Sequence, residues 1–86
     1  MKKVSILGST GSIGVSTLDV IRTFPQLFKV TSLTANSNID LIQKQIAEFK
    51  PETVVITDIN AANELKNRIS DSTKILSGKD GLIEIA

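Results

Sequence analysis

The chain has 86 residues, enough for one small domain, and a domain of this size buries only about 60% of its unfolded surface. Its ten basic and nine acidic residues are scattered along the sequence and give a net charge of +1, which argues against a nucleic-acid-binding face. The chain contains neither cysteine nor histidine, which excludes disulfides, a thiol nucleophile and Cys/His metal sites within it.

The first predicted element is a strand at residues 4–7, a short apolar run that ends at Gly8 and suits a strand buried on both faces. Two lysines precede this run, but it is shorter than the apolar region of about 7–15 residues in a signal peptide. No apolar run elsewhere approaches the roughly 18 residues that span a bilayer. We therefore expect a cytoplasmic chain that makes no membrane contact.

A helix and a second strand follow. The apolar spacing becomes helical from Ser12 onward, and Pro25 cannot continue that helix. The residues predicted to face the core are Ile13, Thr17, Val20 or Ile21, and Phe24. A run rich in β-branched residues at 28–34 predicts the second strand.

Helices and strands continue to alternate towards the end of the chain. Spacings of three, four and three mark the second helix: Ile39, Ile42, Ile46 and Phe49. Strands are predicted at residues 53–57 and 74–76. The helix between them bears three apolar residues: Ala62, Leu65 and Ile69. Residues 77–81 predict a turn, and residues 82–86 predict the start of another helix.

Polar residues stand where the second and third helices begin. Ser37 or Asn38 can cap the second helix, and Asp58 or Asn60 can cap the third. Strand–helix alternation with short connections is typical of a parallel sheet built from right-handed βαβ units. The sequence thus predicts an α/β fold, a Rossmann-like parallel sheet with flanking helices. We expect these elements to belong to one domain.

A glycine-rich turn joins the first strand to the first helix. Residues 8–14 have the sequence GSTGSIG, a G-x-x-G-x-x-G spacing that follows a predicted strand and opens a predicted helix. We expect Gly8 to turn the chain, Gly11 to let phosphate approach the backbone, and Gly14 to let the helix pack closely on the sheet. Amides at the positive end of the helix dipole would then face a diphosphate. The alternative is a tight turn without a ligand.

The loop after the second strand bears on which dinucleotide is bound. Enzymes that prefer NAD usually place an acid there, about 20 residues beyond the glycines, to bind the ribose 2′-hydroxyl. No carboxylate lies between Asp19 and Asp40, so nothing at residues 33–38 would repel a 2′-phosphate. The Ser/Asn-rich end of this segment can donate hydrogen bonds to that phosphate, which favours NADP. Ser37 and Asn38 can also be helix caps without a ligand role.

Residues 4–21 (VSILGSTGSIGVSTLDVI) resemble the start of the 1-deoxy-D-xylulose 5-phosphate reductoisomerase family. The glycine turn followed by STLDV at residues 16–20 is far more specific than the glycine spacing alone. The resemblance covers essentially the whole chain and includes Pro25, Pro51 and the LSG of residues 76–78.

This resemblance implies an NADPH-dependent oxidoreductase and isomerase of non-mevalonate isoprenoid biosynthesis. Such an enzyme rearranges the sugar phosphate 1-deoxy-D-xylulose 5-phosphate and reduces it to 2-C-methyl-D-erythritol 4-phosphate. The resemblance implies that residues 1–86 are the N-terminal part of an NADPH-binding Rossmann-like domain and that the catalytic and C-terminal domains lie outside this chain. A homodimer is implied for the full-length enzyme. A divalent metal, Mg or Mn, is also implied, with its carboxylate ligands beyond this chain. No catalytic or metal-binding residue is therefore expected within these 86 residues.

The resemblance also implies the cofactor-binding residues. Four would contact the NADPH diphosphate and the nearby ribose: Thr10, Gly11, Ser12 and Ile13. Three would hold the adenosine ribose and its 2′-phosphate: Asn36, Ser37 and Asn38. The family often has a glycine at the position of Asn36 and a basic residue at that of Ser37, so this sequence differs from it at both.

Two other function classes fit part of this pattern. Semialdehyde dehydrogenases and extended short-chain reductases share the glycine spacing and use a catalytic Cys or a Tyr-x-x-x-Lys. This chain has neither Cys nor Tyr, but either could lie downstream of it, so their absence here does not decide. A non-catalytic nucleotide-binding module is the other alternative. The STLDV segment at residues 16–20 favours the reductoisomerase family.

Overall fold

Helices and strands alternate throughout the computed structural model, which describes residues 1–69 and 73–78. The strands are β1 (Lys2–Ile6), β2 (Phe28–Ala35), β3 (Thr53–Ile56) and β4 (Lys74–Ser77). The helices are α1 (Ser12–Thr23), α2 (Ile39–Phe49) and α3 (Ile59–Arg68). None of these helices is long and apolar enough to cross a membrane. The helix predicted at residues 82–86 and most of the turn before it lie outside the described residues.

The strands form one parallel sheet in the order β1-β2-β3-β4. Because each strand lies beside the next one in sequence, right-handed crossovers carry all three helices over the same face. On that face, Leu33, Val54 and Ile56 of the sheet join a single core with residues of every helix, among them Leu18 and Leu65. The structure confirms the predicted α/β class and parallel sheet.

The apolar faces of α2 and α3 agree with their predicted spacing. Five of the predicted residues are buried: Ile39, Ile42, Ile46, Ala62 and Leu65. Phe49 and Ile69, which end the two apolar patterns, are partly buried and pack against the core.

The first helix, α1, buries a different stripe from the one predicted. Three residues predicted to face the core are exposed, Ile13 by as much as 83%: Ile13, Val20 and Phe24. The buried residues are Gly14, Leu18 and Ile21, of which only Ile21 is among the predicted alternatives. The prediction fails because Gly14 has no side chain and therefore adds nothing to an apolar pattern.

The first strand, β1, is an outer strand among the described residues. Ile6 is buried, but Lys2, Lys3 and Ser5 are exposed. The prediction of a strand buried on both faces is therefore wrong for this part of the chain. The physical reason is that the three helices cover one face of the sheet, so Ile6 is buried on that face while the alternating residues Lys3 and Ser5 point to the other one.

Candidate functional site

The glycine turn and the loop after β2 lie at the same edge of the sheet. Residues 8–14 follow β1, and residues 36–38 follow β2. These two strands are parallel neighbours, so their carboxyl ends meet at one edge, where open α/β sheets bind ligands. The structure therefore brings together the two groups of residues that the sequence predicts for the site.

The turn is fastened to β2 through Thr34, a residue that the sequence analysis did not identify. The Gly8 N–H donates to the Thr34 hydroxyl at 2.8 Å, and the Ser9 N–H donates to the Thr34 carbonyl at 2.8 Å. Gly8 has φ +67°, a left-handed conformation that glycine adopts without steric cost. The Gly11 N–H then closes the turn by donating to the Gly8 carbonyl at 3.0 Å.

Ser9 lies behind the turn and is fully buried. Its carbonyl accepts a hydrogen bond of 2.8 Å from Nε2 of Gln45, which is itself buried on α2. The first helix approaches so closely that a Cβ added at Gly14 would lie 2.6 Å from the Ser9 Cα. Three elements, β2, α2 and α1, therefore hold this one residue in place.

The three glycines of the turn meet three different requirements. Gly8 is required by its backbone conformation. Gly14 is required because a Cβ there would lie 2.3 Å from the Gly8 carbonyl oxygen, so the helix packs closely on the turn itself. Gly11 has ordinary extended angles, and a Cβ there would meet the Gly8 oxygen at 3.4 Å, a normal van der Waals contact. The described fold alone does not require a glycine at position 11.

The start of α1 presents backbone donors to the surface. Gly11 is the N-cap and offers no side-chain cap, and the first helical hydrogen bond runs from the Val15 N–H to the Gly11 carbonyl at 2.9 Å. Within residues 1–69 and 73–78, no atom accepts from the N–H groups of Thr10, Ser12 and Ile13. Free amides at the positive end of a helix dipole favour the binding of an anion.

The other two helices are capped by side chains. Oδ1 of Asn38 accepts from the Leu41 N–H at 3.3 Å at the start of α2. Oδ1 of Asp58 accepts from the Ala61 N–H at 3.0 Å at the start of α3. The structure thus selects one residue from each predicted pair of caps.

The loop after β2 is anchored to the beginning of α3. The Thr57 hydroxyl donates to Oδ1 of Asn36 at 2.5 Å, and the Asp58 N–H donates to the Asn36 carbonyl at 3.1 Å. Ser37 is exposed, and its hydroxyl has no hydrogen-bond partner in the described part of the chain. Thr57 is a further contact that the sequence did not indicate.

Two acids stand near this loop, one paired with an arginine and the other capping a helix. Asp40, in the first turn of α2, lies 2.6 Å from Nη1 of Arg68. The hydrogen bond between them raises the pKa of the Arg68 guanidinium above its ordinary value. The carboxylate of Asp58 faces the positive end of α3. This pairing reduces the repulsion that an anionic ligand would meet at residues 36–38.

The acidic side chains away from this loop pair with arginine or lysine in the described part of the chain. No group of three or more His, Cys, Asp or Glu side chains occurs in residues 1–69 and 73–78. Glu48 is exposed and pairs with Arg22, whose hydrogen bond lowers the pKa of that carboxyl. Asp19 is also exposed and binds the same guanidinium.

Comparison with known proteins gives a consistent result. Residues 4–86 match the family model for 1-deoxy-D-xylulose 5-phosphate reductoisomerase. The chain is 51% identical over 85 residues to the 1-deoxy-D-xylulose 5-phosphate reductoisomerase of a Thermoanaerobacter species, covering 99% of this chain and 22% of the relative. It is also 51% identical over 86 residues to reductoisomerase 1 of Bacillus cereus, covering 100% and 22%. The chain therefore spans about a fifth of the length of these curated relatives.

Solved structures show the same likeness. A 1-deoxy-D-xylulose 5-phosphate reductoisomerase from Zymomonas mobilis in complex with NADPH gives a TM-score of 0.91 at 36% identity, over 96% of this chain and 22% of that one. A reductoisomerase structure with fosmidomycin and magnesium gives a TM-score of 0.93 at 38% identity, over 99% and 22%. These likenesses confirm the predicted Rossmann-like fold.

Proposed function

Because the chain belongs to the 1-deoxy-D-xylulose 5-phosphate reductoisomerase family, we propose that it is the NADPH-binding part of such an enzyme. The pyrophosphate lies on the turn of residues 8–14, and the adenosine ribose with its 2′-phosphate lies on the loop of residues 36–38. The whole protein converts 1-deoxy-D-xylulose 5-phosphate to 2-C-methyl-D-erythritol 4-phosphate. A divalent metal, a homodimer and a cytoplasmic location are parts of the same proposal and rest on the family.

The space at Gly11 is the observation that supports this proposal most directly. It is the position of the turn where neither a positive φ, as at Gly8, nor a steric clash, as at Gly14, requires a glycine, yet the sequence has one. A dinucleotide explains this, because a side chain there would keep the pyrophosphate away from the backbone. The N–H groups of Thr10, Ser12 and Ile13 surround the same position and donate to the diphosphate oxygens. The hydroxyls of Thr10 and Ser12 are additional donors.

Three residues bind the adenosine ribose and its 2′-phosphate, and they differ in which of their polar atoms remain available to donate. Oδ1 of Asn36 accepts from Thr57, so its amide Nδ2 is the end that donates to the 2′-phosphate. Ser37 offers an exposed hydroxyl. Asn38 caps α2 through its oxygen and offers its Nδ2 to the same phosphate. With one nearby acid paired with an arginine and the other capping a helix, these neutral donors favour NADPH over NADH.

These residues bind and orient the cofactor. NADPH, when bound, supplies the hydride for the reduction. The described residues hold its diphosphate and adenosine ribose, which fixes the position of the cofactor relative to the rest of the enzyme. They include no group of three or more side chains that could hold a metal ion.

Titration of the full-length protein with NADPH, followed by cofactor fluorescence, tests the proposal. We expect tighter binding of NADPH than of NADH. We expect Gly11→Val to weaken NADPH binding by about 100-fold or more, equivalent to about 2.7 kcal/mol, because the branched side chain fills the pyrophosphate position. Thr23→Val, at the far end of α1 and exposed, is the matched control and retains the affinity of the unmodified protein.

Two results would contradict these statements separately. Unchanged NADPH affinity in Gly11→Val would show that the pyrophosphate does not lie on this turn. Unmodified protein that binds NADPH no better than AMP would contradict the proposed function and favour a non-catalytic nucleotide-binding module.

A further inference from the structure

Gln45 is a polar residue in an apolar position. It is buried on α2 beside the core residues Ile42 and Ile46. A buried amide costs free energy unless its hydrogen bonds are made. Its Nε2 donates to the Ser9 carbonyl, but its Oε1 is buried and accepts no hydrogen bond from the described residues. Packing alone therefore favours an apolar side chain of the same size, and within residues 1–69 and 73–78 the hydrogen bond to Ser9 is the contact that favours a glutamine instead.

That contact determines the direction of one donor in the turn. The Ser9 carbonyl and the Thr10 N–H belong to one peptide group, and in a trans peptide they point in opposite directions. Because Gln45 draws the carbonyl towards α2, the Thr10 N–H points away from α2. The Ser9 N–H is already held by Thr34, so the bond from Gln45 fixes the remaining backbone group of this residue.

We propose that Gln45 is a positioning residue of the cofactor site, which fixes the Ser9–Thr10 peptide so that the Thr10 N–H faces the pyrophosphate. Gln45 acts through Ser9 and does not touch the cofactor. The inference rests on the proposed function of residues 8–14 and adds to it a residue more than 30 positions away in sequence.

The first test is Gln45→Met in the full-length protein. Methionine matches the length of glutamine and suits a helix, but it has no donor for the Ser9 carbonyl. Without this donor the Thr10 N–H is no longer held towards the pyrophosphate, and its hydrogen bond to that charged group is weakened. We therefore expect the Kd for NADPH to rise about tenfold, the typical effect of losing one such bond. The affinity for 2′-AMP, which has no pyrophosphate, is expected to stay unchanged. Gln43→Met is the matched control, because Gln43 is half-buried on the same helix and makes no hydrogen bond to the described residues.

The second test, Gln45→Glu, makes the same contact depend on pH. An ionised carboxylate cannot donate to the Ser9 carbonyl, but a protonated carboxyl can. Burial raises the pKa of a carboxyl above its usual value of about 4.3. Lowering the pH from about 8 to about 5.5 should therefore restore part of the lost affinity for NADP⁺, measured relative to the unmodified protein at each pH.

The possible results separate the two proposals. Gln45→Met that binds NADPH like the unmodified protein, or that loses NADPH and 2′-AMP to the same extent, would overturn the positioning role and leave the proposed function intact. If Gln45→Met does not fold, Gln45→Glu decides, and the absence of any recovery at low pH would overturn the role. Unmodified protein that does not bind NADPH would remove the proposed function and this inference with it.

Discussion

Two strand-to-helix turns at the same edge of the sheet begin their helices in opposite ways. Between β3 and α3 the connection is short, and the Asp58 side chain caps the helix. Between β1 and α1 the chain makes a longer turn, and the N-cap is Gly11, which has no side chain. The β3–α3 turn satisfies a helix amide from within the protein. The β1–α1 turn leaves its amides available to an anion, so this candidate site depends on the absence of a cap.

The largest effect is expected from Gly14→Ala, which disrupts the β1–α1 turn itself. The new Cβ would lie 2.3 Å from the Gly8 oxygen and 2.6 Å from the Ser9 Cα, and backbone atoms cannot rotate out of its way. We expect the free energy of unfolding to fall by about 3 kcal/mol or more, as measured by urea unfolding of the full-length protein. Gly11→Ser is the matched control and should change it by less than about 0.5 kcal/mol. Equal stability of the two variants would contradict the close approach of α1 to the turn.

A second variant, Gly11→Asp, makes the β1–α1 turn resemble the β3–α3 turn. The N-cap of α1 has φ −79° and ψ 170°, which are suitable for a capping aspartate. We expect a gain of about 0.5 kcal/mol in the free energy of unfolding. NADPH affinity should fall by about 100-fold or more, because the carboxylate occupies the amides and repels the diphosphate. The titration and urea unfolding described above measure both effects. A more stable variant that still binds NADPH would show that the cap and the cofactor do not compete.

The smallest effect is expected from Asp58→Ala, which removes the cap of the β3–α3 turn. The expected cost is about 1 kcal/mol of unfolding free energy. NADPH affinity should be unaffected, because the backbone N–H of Asp58 still holds the Asn36 carbonyl. Asp58→Asn keeps a capping oxygen and should retain the original stability. Equal losses in both variants would indicate that the charge of Asp58, not its role as a cap, stabilises the helix.

Local patterns in the sequence were sufficient to predict the elements and the turn. Glycine spacing and apolar periodicity involve neighbours in sequence, so residues 8–14 and the strand–helix order could be identified directly. The buried face of α1 could not be identified in this way. Gly14 lies on that face because it has no side chain, and an apolar pattern is read only from residues that have one.

The residues that hold the site in place depend on contacts between distant elements. Thr34 and Thr57 act through strand pairing and loop anchoring, which no local pattern indicates. Gln45 did leave a signal, since it is a polar residue at a core spacing, three positions after Ile42 and next to Ile46. The candidate cofactor-binding residues thus lie in a local sequence pattern, whereas most of the residues that support them do not.

The position of Thr34 has a consequence for protein engineering. Thr34 accepts both hydrogen bonds from the glycine turn and lies inside β2, two residues before the loop of residues 36–38 begins. Exchanging that loop to change cofactor preference therefore leaves the attachment of the turn intact. In the proposed site, the turn that would bind the diphosphate and the loop that would bind the ribose are therefore attached to the sheet separately, and a designer can replace the loop without rebuilding the turn.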